Sequence, residues 1–123
     1  MWQVRTTDEF DAWFRSLGDT PEGRAGRVEL IAVVELLKEF GPGLSRPHAD
    51  TLKGSAYANL KELRAKTSDM VLRVAFAFDP EREAILLVGG DKGGVGERRF
   101  YKQLIASAEP FYAAHLRGIK RKK

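Results

Sequence analysis

Apolar positions recur along the chain with two periods, and the changes of period divide it into elements. In "TTDEFDAWFRSLG" the residues Phe10, Trp13, Phe14 and Leu17 fall at i, i+3, i+4 and i+7, one face of a helix. Thr6 and Glu9 have capping-box spacing, and Gly18 supplies the stop. A second helix is predicted from Thr20-Pro21, a cap followed by proline at the first helical position, with Leu30, Val33, Val34, Leu37 and Phe40 as its core stripe. Gly41-Pro42-Gly43 ends it, and Gly23 and Gly26 are expected to fray its first turns. Trp2 to Arg5 reads as a short strand ahead of both helices.

After a turn-rich link, "GPGLSRPHADTLKGSAYAN", the period becomes two. "LKELRAK" is a short strand, and "MVLRVAFAFDPEREAILLVGG" is a hairpin turning at Asp79-Pro80. On its first arm Leu72, Val74, Phe76 and Phe78 share one face, and Val71, Arg73, Ala75 and Ala77 the other. The bulky face must pack on helices, whereas the small face with its one cation suits a shallow surface open to a ligand. From Arg98 the helical period returns through Phe100, Leu104, Ile105, Ala108, Phe111, Tyr112 and Leu116, with Pro110 expected to kink or split the helix. The sum is an α+β domain: a small, mostly antiparallel sheet with helices on one face, two N-terminal and one C-terminal.

Charge changes this picture only locally. The net +4 depends on the tail "RGIKRKK"; without it 16 Lys+Arg face 17 Asp+Glu. Residues 1–116 therefore read as a single domain with no basic excess, and 117–123 as a basic tail, expected to be a solvated, disordered end. With no cysteine there is no disulfide framework or thiolate metal site, and the spacing of His48 and His115 is not that of a zinc site. No apolar run is long enough for a membrane span and the start has no signal-peptide pattern, so no membrane association and a cytoplasmic location are expected.

The stretch "LVGGDKGGVGERRFY" looks like a phosphate loop but fails both nucleotide templates. Lys92 is followed by Gly93-Gly94, without the hydroxyl residue that a P-loop places on magnesium. The dinucleotide fingerprint fails at Arg99, where a third glycine should stand, and no βαβ unit precedes it. What remains is a flexible turn lifting Lys92 off a strand end, beside Arg98, Arg99 and Lys102.

Taken in order, "LKELR", "VLRVAFAFDPE", "ILLVGGDKGG" and "RFYKQLIASAEPFY" resemble the HigB-like branch of the RelE/ParE toxin superfamily, phage-derived relatives included; the resemblance spans roughly Leu52 to Leu116. It implies a RelE-like fold and the toxin of a bacterial toxin–antitoxin pair. In the RelE and HigB branches such toxins cut messenger RNA in the ribosomal A site without a metal or other cofactor. It also implies a helix-turn-helix antitoxin of the HigA kind as partner. Carried over residue by residue, it points to Arg64, Arg73, Lys92 and Tyr101 as catalytic, with Lys53, Arg98, Arg99 and Lys102 as RNA-binding. His48 matches nothing in the pattern, and "GGDKGG" has one lysine where relatives often have a pair.

These residue types suit the chemistry. RNA is cut when its 2′-OH attacks the adjacent phosphorus, which requires a base, cations for the phosphoryl oxygens and a proton for the departing 5′-oxygen. An arginine fork binds two phosphate oxygens and does not lose its charge. Lysine at its ordinary pKa of about 10.4 is a poor base, so Lys92 as base requires like charges, Arg64, Arg73 and Arg98, gathered around it. Tyr101 would orient the phosphate or stack on a base, and Arg73 would stabilise the transition state.

Each has a plainer alternative. Arg64 could pair with Glu62, and Tyr101 could simply pack. Asp79, Glu81 and Glu83 read as solvated turn charges, and Phe111 and Tyr112 as core. Two other functions stay open: a gyrase-binding toxin of the ParE kind, and an inert family member that only binds a partner.

Overall fold

The computed structural model describes residues 1–122. The elements run β1 (Val4–Thr6), α1 (Asp8–Ser16), α2 (Pro21–Phe40), a 3-10 turn (Gly41–Gly43), β2 (Ala49–Thr51), β3 (Leu60–Lys66), β4 (Val71–Phe78), β5 (Ala84–Asp91) and α3 (Glu97–Lys122). The strands form one mixed sheet in the order β1-β5-β4-β3-β2; β1 is parallel to β5 and the other neighbours are antiparallel. The α+β reading holds, and β3 and the hairpin arms lie where the period of two puts them. Among the described residues no helix is long and apolar enough to cross a membrane.

The helices do not share one face. Phe10, Leu30, Val33 and Leu37 of α1 and α2 pack on Leu63, Leu72, Val74, Phe76 and Leu86. Phe100, Leu104, Ala108 and Tyr112 of α3 pack on the opposite face, over Leu60, Ala75, Ala77, Ile85 and Leu87. The face expected to lie open to a ligand is thus covered. Ala75 and Ala77, both 0% exposed, are small because a helix lies on them. Only the Arg73 end of that face borders the surface cleft described below.

A β-bulge makes both faces of β5 work. Ala75 pairs with Val88 and Phe76 with Leu86, so Leu87 is the extra residue, and Leu87 and Val88 both join the α3 side. The Leu87 carbonyl accepts the Thr7 hydroxyl at 2.6 Å, and that same hydroxyl caps α1 by accepting from the Phe10 N–H at 2.9 Å. The cap is therefore Thr7, one residue later than the capping-box reading, because Thr6 is held in β1 opposite Leu86.

Three other expectations change. β2 lies inside the stretch read as a link; it is three residues long, too short for alternation to show. α3 runs unbroken through Pro110, which lies with Ala106, four residues before it, on the exposed side, so the carbonyl deprived of its N–H faces water. The helix also continues through 117–122, burying Ile119 to 8% exposure, in place of a disordered tail.

The α2 glycines serve close approach. Thr20 caps the helix by accepting from the Gly23 N–H at 3.1 Å, and a Cβ on Gly23 would meet the Leu17 carbonyl oxygen at 2.0 Å. In an unconstrained helix Gly→Ala stabilises by roughly 0.5–1 kcal/mol. Here Gly23→Ala is expected to destabilise by about 1–3 kcal/mol through overpacking, read as a lower urea midpoint at unchanged slope.

Candidate active site

In the β3–β4 register Arg64 stands directly opposite Arg73, and Glu62 opposite Ala75, so all three side chains rise from the α3-facing side. Tyr101, in the first turns of α3, comes down between them. Its hydroxyl accepts from Arg73 Nε at 3.1 Å and donates to Glu62 Oε1 at 2.7 Å. Arg73 Nε also lies 3.5 Å from Glu62 Oε1, and its Nη1 donates to the Leu72 carbonyl at 3.0 Å. Arg64 Nη1 reaches Glu62 Oε2 at 3.6 Å.

Arg73 and Glu62 are 5% and 4% exposed, so an ion pair is buried between the sheet and α3. Burial, and then the bond to Glu62, push the Tyr101 hydroxyl above its ordinary pKa, with Arg73 opposing. Tyr101 is therefore a protonated donor through neutral pH.

Lys92 is the first residue after β5. Its N–H donates to the Val71 carbonyl at 2.7 Å, while Asp91 Oδ1 accepts from the Val71 and Gly93 N–H groups at 3.0 and 2.9 Å. The ammonium lies over the Tyr101 ring, 5.8 Å from its centroid, and 3.1 Å from Glu97 Oε1. The crowd of cations expected around Lys92 is thus replaced by an aromatic face and a carboxylate.

A cleft of about 330 Å³ opens over this group, lined by Arg46, Asp50, Thr51, Leu52, Lys53, Glu62, Arg64, Glu97, Arg98 and Tyr101. Of the residues read from sequence, Arg64, Tyr101, Lys53 and Arg98 line it directly. Arg73 does not; it stands behind the Tyr101–Glu62 wall. Arg99 and Lys102 line a separate exposed depression with Gly96, Glu97 and Arg98 at the start of α3. His48 stays a loop residue whose carbonyl accepts the Arg64 N–H at 2.8 Å.

Six residues of the cleft escaped the sequence reading as site residues: Arg46, Asp50, Thr51, Leu52, Glu62 and Glu97. Glu62 was visible only as a partner for Arg64, although its two-residue spacing from Arg64 puts both on one strand face. Asp50 lies in the middle of β2, a strand the period of two did not reveal, and Arg46 in the turn before it. Arg46 donates from Nε at 2.8 Å and lies 2.7 Å away through Nη2, both to Asp50 Oδ2, and this fork together with the Thr51 N–H holds the Asp50 carboxyl below its ordinary pKa.

Asp79 is not a solvated charge. It is 5% exposed, accepts from the Glu81 and Glu83 N–H groups at 2.9 and 3.0 Å, and meets His115 Nε2 at 2.7 Å. Carboxylate oxygens of Asp79, Glu81 and Glu83 lie within 4.8 Å of one another, but those of Asp79 are already committed to the turn and to His115. Tyr112, 2% exposed, is core and accepts from Asn59 at 2.9 Å.

Two predictions follow from these contacts. Glu62→Ala leaves Arg73 buried without its counter-ion and is expected to destabilise by roughly 3–5 kcal/mol in urea unfolding, with Glu62→Gln milder because it keeps an acceptor. At the far side of the β2–β3 loop that holds Lys53, Glu109 accepts from the Ala56 N–H at 2.6 Å and the Ser55 hydroxyl at 2.8 Å, which lower its pKa below the ordinary 4.5. A depressed carboxyl contributes stability above its unfolded pKa and loses it as pH falls through the folded value. The Ala56 amide resonance should therefore titrate with a midpoint below 4.5 in an NMR pH series, and Glu109→Gln should abolish that titration.

The chain matches the family described as "Phage derived protein Gp49-like (DUF891)" over residues 12–113. It is 40% identical over 102 residues to a Mycobacterium tuberculosis protein named "Putative toxin HigB3", covering 82% of both chains. It is also 41% identical over 88 residues to "Putative toxin HigB2" of the same organism, covering 71% of this chain but spanning only 43% of that relative's length. With this match over most of its length, and with HigB proteins among its relatives as the four sequence segments indicated, the chain belongs to the phage-derived Gp49-like family.

Proposed function

We propose that this chain is the toxin of a toxin–antitoxin pair and cuts messenger RNA in the ribosomal A site without a metal. The observation that supports this most is the Tyr101 hydroxyl held between Arg73 and Glu62 at the wall of a cleft that Arg64, Lys53 and Arg98 line with cations. The Arg64 guanidinium is the fork for the scissile phosphate. It is partly exposed in the cleft, tethered only by a 3.6 Å approach to Glu62.

The 2′-oxygen bonds to phosphorus as its proton passes to the free amine of Lys92; because Glu97 and the Tyr101 ring stand beside Lys92 in place of the arginines, the ammonium must first give up a proton to water before it can act. Its partner Glu97 is 72% exposed, and a surface pair of that kind exchanges at little cost. As the bond from phosphorus to the 5′-oxygen breaks, the Tyr101 hydroxyl turns its one proton away from Glu62 Oε1 and gives it to the 5′-oxygen. Arg73 and Glu62 position the hydroxyl, and Arg73 offsets the charge left on the phenol oxygen. Arg73 thus stabilises the transition state through Tyr101, the group at the leaving oxygen, rather than from the cleft itself. Arg98, Arg99 and Lys102 lie on an exposed helix start suited to ribosomal RNA. The partner that silences the toxin is, in this reading, a helix-turn-helix antitoxin of the HigA kind.

Mapping transcript ends after brief induction is expected to show cuts that Arg64→Ala reduces on the order of 10²–10³-fold. Tyr101→Phe should be slow on ordinary messenger RNA and recover on RNA with a 5′-bridging sulfur, a leaving group that needs no proton. A single-turnover rate flat from about pH 6 to 10 would count against Lys92 as the titrating base. Growth arrest that survives Arg64→Ala and Tyr101→Phe, with stalled replication and intact transcripts, would return the gyrase-binding reading.

A further inference from the structure

Arg46 and Asp50 stand at the sheet's outer edge with a cavity on each side. The first is the cleft over Glu62, Arg64 and Tyr101. The second, also about 330 Å³, is lined by Pro42, Leu44, Ser45, Ala49 and Lys61, with Arg46, Asp50 and Thr51 common to both. Alternation explains the arrangement: Glu62 and Arg64 face α3, whereas Ala49 and Leu63 belong to the core beneath α2. β2 is only three residues long and ends the sheet, so a flexible polymer leaving the first cavity can fold over this edge into the second.

The second cavity has the size of a small-molecule site and the chemistry for a nucleotide. Pro42 offers an apolar surface, Ser45 and Thr51 hydroxyls, and Lys61 and Arg46 charges for a phosphate. Asp50 has a remaining acceptor. Its Oδ2 takes both contacts from Arg46 and its Oδ1 the Thr51 N–H at 2.9 Å, three of about four acceptor sites on a carboxylate.

We propose that this cavity is a nucleotide subsite: it holds an RNA nucleotide flanking the scissile linkage, its phosphate at Lys61 and Arg46, and Asp50 favours bases bearing an exocyclic amino group. The inference rests on the nuclease reading for its substrate, but its test does not depend on cleavage.

The probe is a single-stranded RNA trinucleotide with 2′-methoxy groups, which cannot be cut, titrated into the folded full chain and followed by NMR. Shifts are expected at Ser45, Thr51 and Lys61 as well as at Arg64 and Tyr101. Lys61→Ala should weaken binding about tenfold and lower the salt slope by about one. Asp50→Ala should still bind but lose the preference for trinucleotides ending in cytosine over those ending in uracil. Shifts confined to the Arg64–Tyr101 side, no binding, or Lys61→Ala and Asp50→Ala indistinguishable from wild type would overturn the subsite and leave the cleavage assay to judge the nuclease. Shifts on both sides in a protein that leaves transcripts intact would keep the subsite and overturn the nuclease.

Discussion

The Glu62 carboxylate between Arg73 and Tyr101 is the contact on which the rest of the site depends. A buried charge is tolerable only when it is paired and hydrogen-bonded, and here one carboxylate answers two arginines and a phenol. The three groups come from β3, β4 and α3, so satisfying them fixes those elements relative to one another. A one-residue slip of β3 on β4 would send Glu62 and Arg64 into the core beneath α2 and bring Leu63 to the cleft. The same contacts keep Tyr101 protonated and fixed at the cleft wall, so the requirement that holds the fold in register also sets the position from which the proposed chemistry would draw its proton.

The sheet is apolar on both sides, yet only one end of it supports a site. β4 is the central strand and is buried along nearly its whole length, with Phe76 packed under α2 and Ala75 and Ala77 under α3. α3 lies close to the sheet at Ala108 and Tyr112, while its first turn carries Glu97, Arg98 and Tyr101 past the sheet end. The cleft therefore forms where helix and sheet part, bounded by side chains too polar to close it.

Long periodic segments were legible in sequence, and short or shared features were not. The helical stripes of α1 and α2 and the strands β3, β4 and β5 follow from spacing alone, except that Phe40, read as the end of the α2 stripe, is exposed at the last turn of the helix. β2 is too short to alternate, and with it Arg46 and Asp50 were hidden. The small face of β4 was misread because alanine suits an open surface and a closely packed helix equally well. Arg73 stands out in the sequence as an unusual cation among alanines, but its burial behind Tyr101 depends on where α3 lands. Glu62 shows the limit most clearly: "ELR" places it on the right face, yet only the coordinates of Tyr101 make it central.

Several cations in and behind the cleft already face an acid. Arg64 and Arg73 approach Glu62, Lys92 pairs with Glu97, and Arg46 with Asp50. Affinity for RNA grows with the number of phosphates neutralised by unpaired cations, so under the proposed nuclease reading these pairs would weaken the draw on free RNA. Such a site needs its substrate presented, because orientation by a second body replaces the attraction it lacks. The proposed dependence on the ribosome agrees with this pairing, since the acids hold the arginines and lysine in geometry while reducing the field available to RNA that nothing else is holding.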